Sequence, residues 1–199
     1  MENIKIEDNY LKQKDFDDIQ ELFLGNNLFW FFKYRFYDYD TGSDYPPPHN
    51  PNTGPLAMDN DKLDCFSFVH TFYEGIAPQS PFFDKLHSIL ELLRPMAIKK
   101  IRANLITRLP NIVENTFHSD LIELSEEKQK QWMTSIFYVN TNDGYTVFED
   151  GTKVESVANR MLSFPANMKH TGTACTNIQT RILINFNYYV SGRVVEESV

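Results

Sequence analysis

From residue 98 onward the sequence breaks into about eight short segments rich in β-branched and aromatic residues: 98–107, 116–121, 132–141, 146–150, 152–157, 160–164, 171–176 and 181–190. Turn chemistry separates several of them, at Asn142–Asp143–Gly144, Asp150–Gly151, Pro165–Ala166–Asn167 and Thr176–Asn177. Short strands survive only when their ladders are paired and their apolar faces covered. So many of them, following helices, predict a mainly β chain with supporting helices, closed as a double-stranded β-helix (jelly-roll) barrel. An immunoglobulin-like sandwich is disfavoured, because the Cys…Trp…Cys pattern is absent.

The first half reads as support for that barrel. The segment 15–24 is an amphipathic helix with Phe16, Ile19, Leu22 and Phe23 on one face. The spacing predicts a second helix over 80–93, with Ser80 as cap and Pro81 at the first helical position. Strands are expected at 29–39 and 64–73. Between them, 40–62 carries Pro46–Pro47–Pro48, Pro51, Gly54 and Pro55, an extended loop that cannot donate to a ladder. The expected organisation is one domain over 1–199, with a support region at 1–97 and a barrel core at 98–190.

Composition narrows the function classes. With 42% hydrophobic and 14% aromatic residues, the chain has material for a core. Its 19 basic and 27 acidic residues leave a net charge of −8, which speaks against an extended grip on nucleic acid, since that grip needs clustered positive charge. Lys99–Lys100–Arg102 is a short basic run that leaves room for a small anionic contact. No apolar run approaches the roughly 20 residues that span a bilayer, and residues 1–14 alternate charged and apolar types, unlike a signal peptide. A soluble, cytoplasmic protein is expected. Cys65 and Cys175 make neither metal-ligand spacing nor a disulfide scaffold. No pattern in the sequence fixes oligomeric state.

Of five histidines, His49, His70 and His87 lie in the proline loop, on an apolar strand and in a helix, where ordinary surface or core roles suffice. His118–Ser119–Asp120 is different. On a strand, residues two apart share a face, so an imidazole and a carboxylate converge on one ion. His170 follows the turn after 160–164, where a barrel returns the chain beside the earlier strand. Two imidazoles and one carboxylate leave octahedral positions open, the arrangement suited to non-haem Fe(II). Arg181 opens the last strand, where a guanidinium clamps a carboxylate with two parallel hydrogen bonds. Leu183, Asn185 and Asn187 share its face, unusually polar between Ile182, Ile184 and Phe186, and that points to a cavity rather than a dry core.

His118–Ser119–Asp120, His170 and Arg181 in this order, with Ile136–Phe137–Tyr138–Val139–Asn140 and Gly144–Tyr145–Thr146–Val147–Phe148 between them, resemble the 2-oxoglutarate- and Fe(II)-dependent oxygenases over residues 98–189. Within these the sequence is most similar to the prolyl 4-hydroxylase-like branch, including small members carried by tailed phages, which would place the protein in host cytoplasm. The resemblance implies that His118, Asp120 and His170 hold iron. It implies that Arg181 binds the distal carboxylate of 2-oxoglutarate, helped by the Tyr138 hydroxyl, with Asn187 and Asn104 lining the same pocket. Relatives often carry tyrosine at the Asn104 position, and some carry serine where this chain has Leu183. The implied reaction uses dioxygen, with ascorbate as a candidate reductant. It hydroxylates an unactivated C–H bond of a peptide or small molecule, peptidyl proline being suggested, and releases succinate and CO2. Two alternatives stand beside it. One is a non-catalytic jelly-roll that binds a ligand or serves structurally; the other is a nucleobase demethylase, which the acidic charge disfavours.

Overall fold

The computed structural model describes residues 4–33 and 66–190. The expected loop 40–62, His49 and Cys65 lie outside them, as do the ends of the strands expected at 29–39 and 64–73. The strands are β1 (Lys5–Glu7), β2 (Phe31–Lys33), β3 (Ser67–Glu74), β4 (Ala77–Pro78), β5 (Ala97–Thr107), β6 (Trp132–Tyr138), β7 (Tyr145–Phe148), β8 (Lys153–Glu155), β9 (Arg160–Pro165), β10 (His170–Gly172) and β11 (Thr180–Tyr189). Helices are α1 (Gln13–Leu24), α2 (His87–Leu93) and the short α3 (Glu126–Gln129).

Two antiparallel sheets make a jelly roll. The larger runs β1-β9-β6-β11-β5-β3-β2, with β4 against β3, and the smaller runs β10-β7-β8. Residues before Ala97 thus supply strands to the same sheet as the barrel core. Alternation along β11 decides what each face does. Ile182, Ile184 and Phe186 join Phe16, Ile19, Leu22 and Phe23 of α1 in one core, together with Ile101, Ala103 and Phe137. On the opposite face Leu183 packs with Ile106 and Ile136, and with Phe148 and Val154 of the smaller sheet, in a second core. Each fully buried large side chain contributes about 1.5–3 kcal/mol, so the α1 face alone is a major hold on the outer side. Asn159 fixes the approach to α1: its side chain accepts from Leu11 N–H and donates to Leu11 C=O, both at 2.9 Å.

Three local expectations change. The segment 80–93 is not one helix: a 3₁₀ turn at Phe83–Leu86 precedes α2. Ser80 Oγ accepts from the Phe82 amide at 3.0 Å and also bonds His70 Nε2 at 2.7 Å, so it ties the turn to β3. The segment 116–121 is not a strand. It meets β10 at one isolated bridge, His118 with His170, before turning at Asp120. β10 is only three residues long, so it offers no ladder along which that segment could continue. The basic run on β5 is partly neutralised, with Lys99 and Lys100 in ion pairs to Glu123 (3.4 Å) and Glu74 (2.9 Å). Among the described residues, no helix is long and apolar enough to cross a membrane.

Candidate metal centre

The His118–His170 bridge builds the site. His118 N–H donates to His170 C=O at 3.0 Å and His170 N–H returns the bond at 2.9 Å, so two residues 52 positions apart lie opposite each other. Their imidazoles stand side by side with centroids 4.8 Å apart. Asp120 comes to the same point from the turn after the bridge rather than by strand alternation. Its Oδ1 lies 3.5 Å from His118 Nε2 and 3.9 Å from His170 Nε2. One ligand atom from each of the three residues lies within 4.8 Å of the other two.

Protonation suits these atoms to a cation. His170 Nδ1 donates to the Met168 carbonyl at 3.1 Å, which leaves Nε2 with its lone pair toward Asp120. Burial pushes the His170 pKa down to about 4, against the pull of the Asp120 charge, so the ring is neutral at neutral pH. Burial by itself raises the Asp120 pKa. The adjacent His118 and His170 rings and the Asn187 amide outweigh it and hold the carboxyl below its ordinary range. Phe164 meets His170 edge-on at 4.7 Å, with Phe148 behind at 6.2 Å, fixing the ring in an apolar wall. Two imidazole nitrogens and a carboxylate, held on one side of a point, fit one divalent transition-metal ion with positions left open.

A cleft runs from His170 between the sheets, lined by Asn104, Ile106, Ile136, Thr146, Gly172, Arg181, Leu183 and Asn185. Arg181 lines it with no exposed surface. Nε donates to Ser156 Oγ (2.7 Å), Nη1 to Thr173 C=O (3.2 Å) and Nη2 to Thr146 Oγ1 (3.3 Å). Two glycines make room for the side chain. A Cβ on Gly144 would stand 2.7 Å from Arg181 Cδ, and one on Gly172 would stand 3.0 Å from Nη1.

No protein-family model matches the sequence, and no curated protein matches it. Solved structures do match in shape. A Trichoplax adhaerens prolyl hydroxylase, in complex with a peptide fragment of the hypoxia inducible factor oxygen degradation domain, has a TM-score of 0.55 at 11% identity, covering 94% of this chain and 83% of that one. The non-heme alpha ketoglutarate dependent epimerase SnoN from nogalamycin biosynthesis gives 0.58 at 12%, covering 94% and 76%. HygX from Streptomyces hygroscopicus, with nickel and 2-oxoglutarate bound, gives 0.54 at 10%, covering 95% and 83%. The chain shares its jelly-roll fold with these proteins.

In that fold the residues expected from sequence separate into two groups. His118, Asp120 and His170 come together, and Arg181 and Asn104 line the cleft that starts at His170. Tyr138 lies one layer back: its hydroxyl donates to Thr146 Oγ1 at 2.8 Å, and Thr146 is the residue on the cleft wall. Burial raises the Tyr138 pKa, which keeps that donor protonated. Asn187 stands away from Arg181. Six strand residues span roughly 20 Å, and its amide reaches Asp120 Oδ2 at 3.0 Å. Sequence reasoning missed Thr146, Ser156, Thr134 and the two glycines. Gly144 could not be read as making room for Arg181, because the arginine it accommodates arrives from 37 positions onward.

Proposed function

We propose that this protein is an Fe(II)- and 2-oxoglutarate-dependent oxygenase that hydroxylates an unactivated C–H bond of a peptide or small molecule, with peptidyl proline as the first candidate. The observation that carries the reading is the convergence of His118, Asp120 and His170, the last of which also lines a cleft shared with a buried arginine. Ferrous iron held by the three residues, with the keto acid and dioxygen, would supply the oxidising power that converts 2-oxoglutarate to succinate and CO2 while a C–H bond becomes C–OH.

The chain's own residues do the placing. Arg181 presents a preorganised guanidinium to the distal carboxylate, and its existing bonds to Ser156, Thr146 and Thr173 keep it from swinging. Thr146 Oγ1 accepts from both Tyr138 and Arg181, so its own hydrogen is left to donate to that carboxylate. Ile106, Ile136 and Leu183 line the cleft and suit the methylene carbons of the keto acid. Asn104, and Asn185, whose Oδ1 is buried without a hydrogen-bond partner among the described residues, supply polar contacts to the cleft. Peptidyl proline rests on the likeness to a prolyl hydroxylase; SnoN and HygX share the fold while one is an epimerase and the other also crystallises with hygromycin B.

The test is succinate release from 2-oxoglutarate by the Fe(II)-loaded protein, with proline-rich peptides, free amino acids and methylated oligonucleotides offered in parallel. Stimulation by a peptide supports the proposal in full. Stimulation by oligonucleotide alone moves the substrate to nucleobases. No succinate above the metal-free level, with any substrate or none, leaves a non-catalytic jelly roll.

A further inference from the structure

The two oxygens of Asp120 live in different surroundings. Oδ1 faces both imidazoles, at 3.5 and 3.9 Å. Oδ2 points the other way and accepts from Asn187 Nδ2 at 3.0 Å and from the Thr134 hydroxyl at 3.3 Å. Asn187 also donates to Thr134 Oγ1 at 3.0 Å. An ionised carboxylate only accepts, so the directions follow: both Asn187 N–H bonds are used, and the Thr134 hydrogen goes to Asp120. Thr134 is fully buried and Asn187 nearly so. They face each other across neighbouring strands, Asn187 of β11 paired with Thr134 of β6, so the triangle is anchored in the ladder of the larger sheet, whereas Asp120 sits in a turn.

We propose that Asn187 and Thr134 are positioning residues that tether Asp120 Oδ2 to the sheet, so that the carboxylate offers a metal ion Oδ1 alone and the opposite positions stay open for the keto acid. This rests on the metal site of the proposed function. Without the tether a carboxylate on a turn rotates and takes the ion with both oxygens, or withdraws from it. Partners of this kind, removed one at a time, lower metal affinity by about 10–100-fold.

Co(II) tests this without turnover, because its visible absorption reports both affinity and ligand arrangement. Four proteins are compared with wild type in anaerobic Co(II) titrations: Asn187→Leu, Thr134→Val, Thr134→Ser and His170→Ala, each with the metal-free melting temperature measured alongside. The expected result is a Co(II) Kd raised about 10–100-fold in Asn187→Leu, with an altered band shape at saturation. Thr134→Val weakens binding in the same direction, and Thr134→Ser, which keeps the hydroxyl, returns it to within about threefold of wild type. Affinities and spectra unchanged in Asn187→Leu and Thr134→Val overturn the tether. If Asn187→Leu does not fold, the Val–Ser contrast at Thr134 decides alone: equal affinities overturn the proposal. A wild type that binds no Co(II), or binds it as well after His170→Ala, overturns the metal site itself, a separate outcome from failure of the tether.

Discussion

Gly172→Ala is the most discriminating perturbation of the proposed cosubstrate clamp, because it adds a single methyl and removes nothing. The new Cβ would lie 3.0 Å from Arg181 Nη1, with Cζ at 4.0 Å. Ordinary contact begins near 3.4 Å, so the guanidinium has to retreat by about 0.4 Å. Its three hydrogen bonds resist that shift, but the clash is with the end of a side chain rather than backbone, and Gly172 has negative φ, so the cost should lie near the low end of overpacking, about 1 kcal/mol. The aim of the fork does not survive so well. Each hydrogen bond to a charged group contributes about 1.5–3 kcal/mol, so losing one of the pair to the distal carboxylate raises the 2-oxoglutarate Kd roughly 10- to 150-fold. The assay is anaerobic titration of the metal-loaded protein with 2-oxoglutarate, paired with a melting curve. Gly144→Ala is the contrast: its Cβ would meet the Ala174 carbonyl oxygen at 2.7 Å as well as Arg181, and backbone cannot step aside, so stability falls along with affinity. A Gly172→Ala protein with wild-type melting and a Kd within twofold of wild type would refute the claim that Arg181 holds the cosubstrate.

Removal of either imidazole, by His118→Ala or His170→Ala, should abolish 2-oxoglutarate turnover and stoichiometric iron binding; wild-type succinate formation in either variant takes that residue out of the metal site. In the metal-free protein His170 titrates near pH 4 when folded and near 6.5 when unfolded. The unfolded chain therefore takes up a proton first as pH falls, and stability is lost between about pH 6.5 and 4, by up to about 3 kcal/mol. Urea unfolding of wild type and His170→Asn should diverge by this amount across that window, and a constant difference would mean the ring charges freely in the folded state. Phe137 is fully buried against Phe16 and Tyr10, so Phe137→Ala should cost about 3–5 kcal/mol in the same assay. A loss below about 1.5 kcal/mol would mean that α1 does not dock on this face of the sheet.

The parts of the molecule legible in sequence are those written by local period. Ile182, Ile184 and Phe186 alternate with Arg181, Leu183, Asn185 and Asn187, and that pattern divides an apolar core from a polar cleft without further information. Hidden features depend on partners far away in the chain. The stretch around His118 has strand-like composition, yet β10 offers it a single bridge, so Asp120 reaches the metal point from a turn. The same-face argument therefore names a pair that the structure brings together for a different geometric reason. Asn187 shares a face with Arg181, but the distance along the strand puts it on Asp120 at the metal end instead. Tyr138 carries the expected hydroxyl, while the cleft wall presents Thr146, a residue whose role depends on two donors from other strands. Ser80 illustrates the same limit away from the site. Its hydroxyl holds the Phe82 amide just ahead of the 3₁₀ turn rather than capping a helix, and its second bond to His70 comes from a strand that helical spacing does not reveal.

The central claim is that His118, Asp120 and His170 form one iron site facing a cleft lined by Arg181. Its most direct test is an anaerobic titration of the protein with Fe(II) and then 2-oxoglutarate, followed by visible absorption. A charge-transfer band is expected that appears only when both are present, saturates at one equivalent of each, and is absent in His170→Ala. A protein that binds no ferrous iron, or binds it without developing the band at saturating 2-oxoglutarate, contradicts the claim.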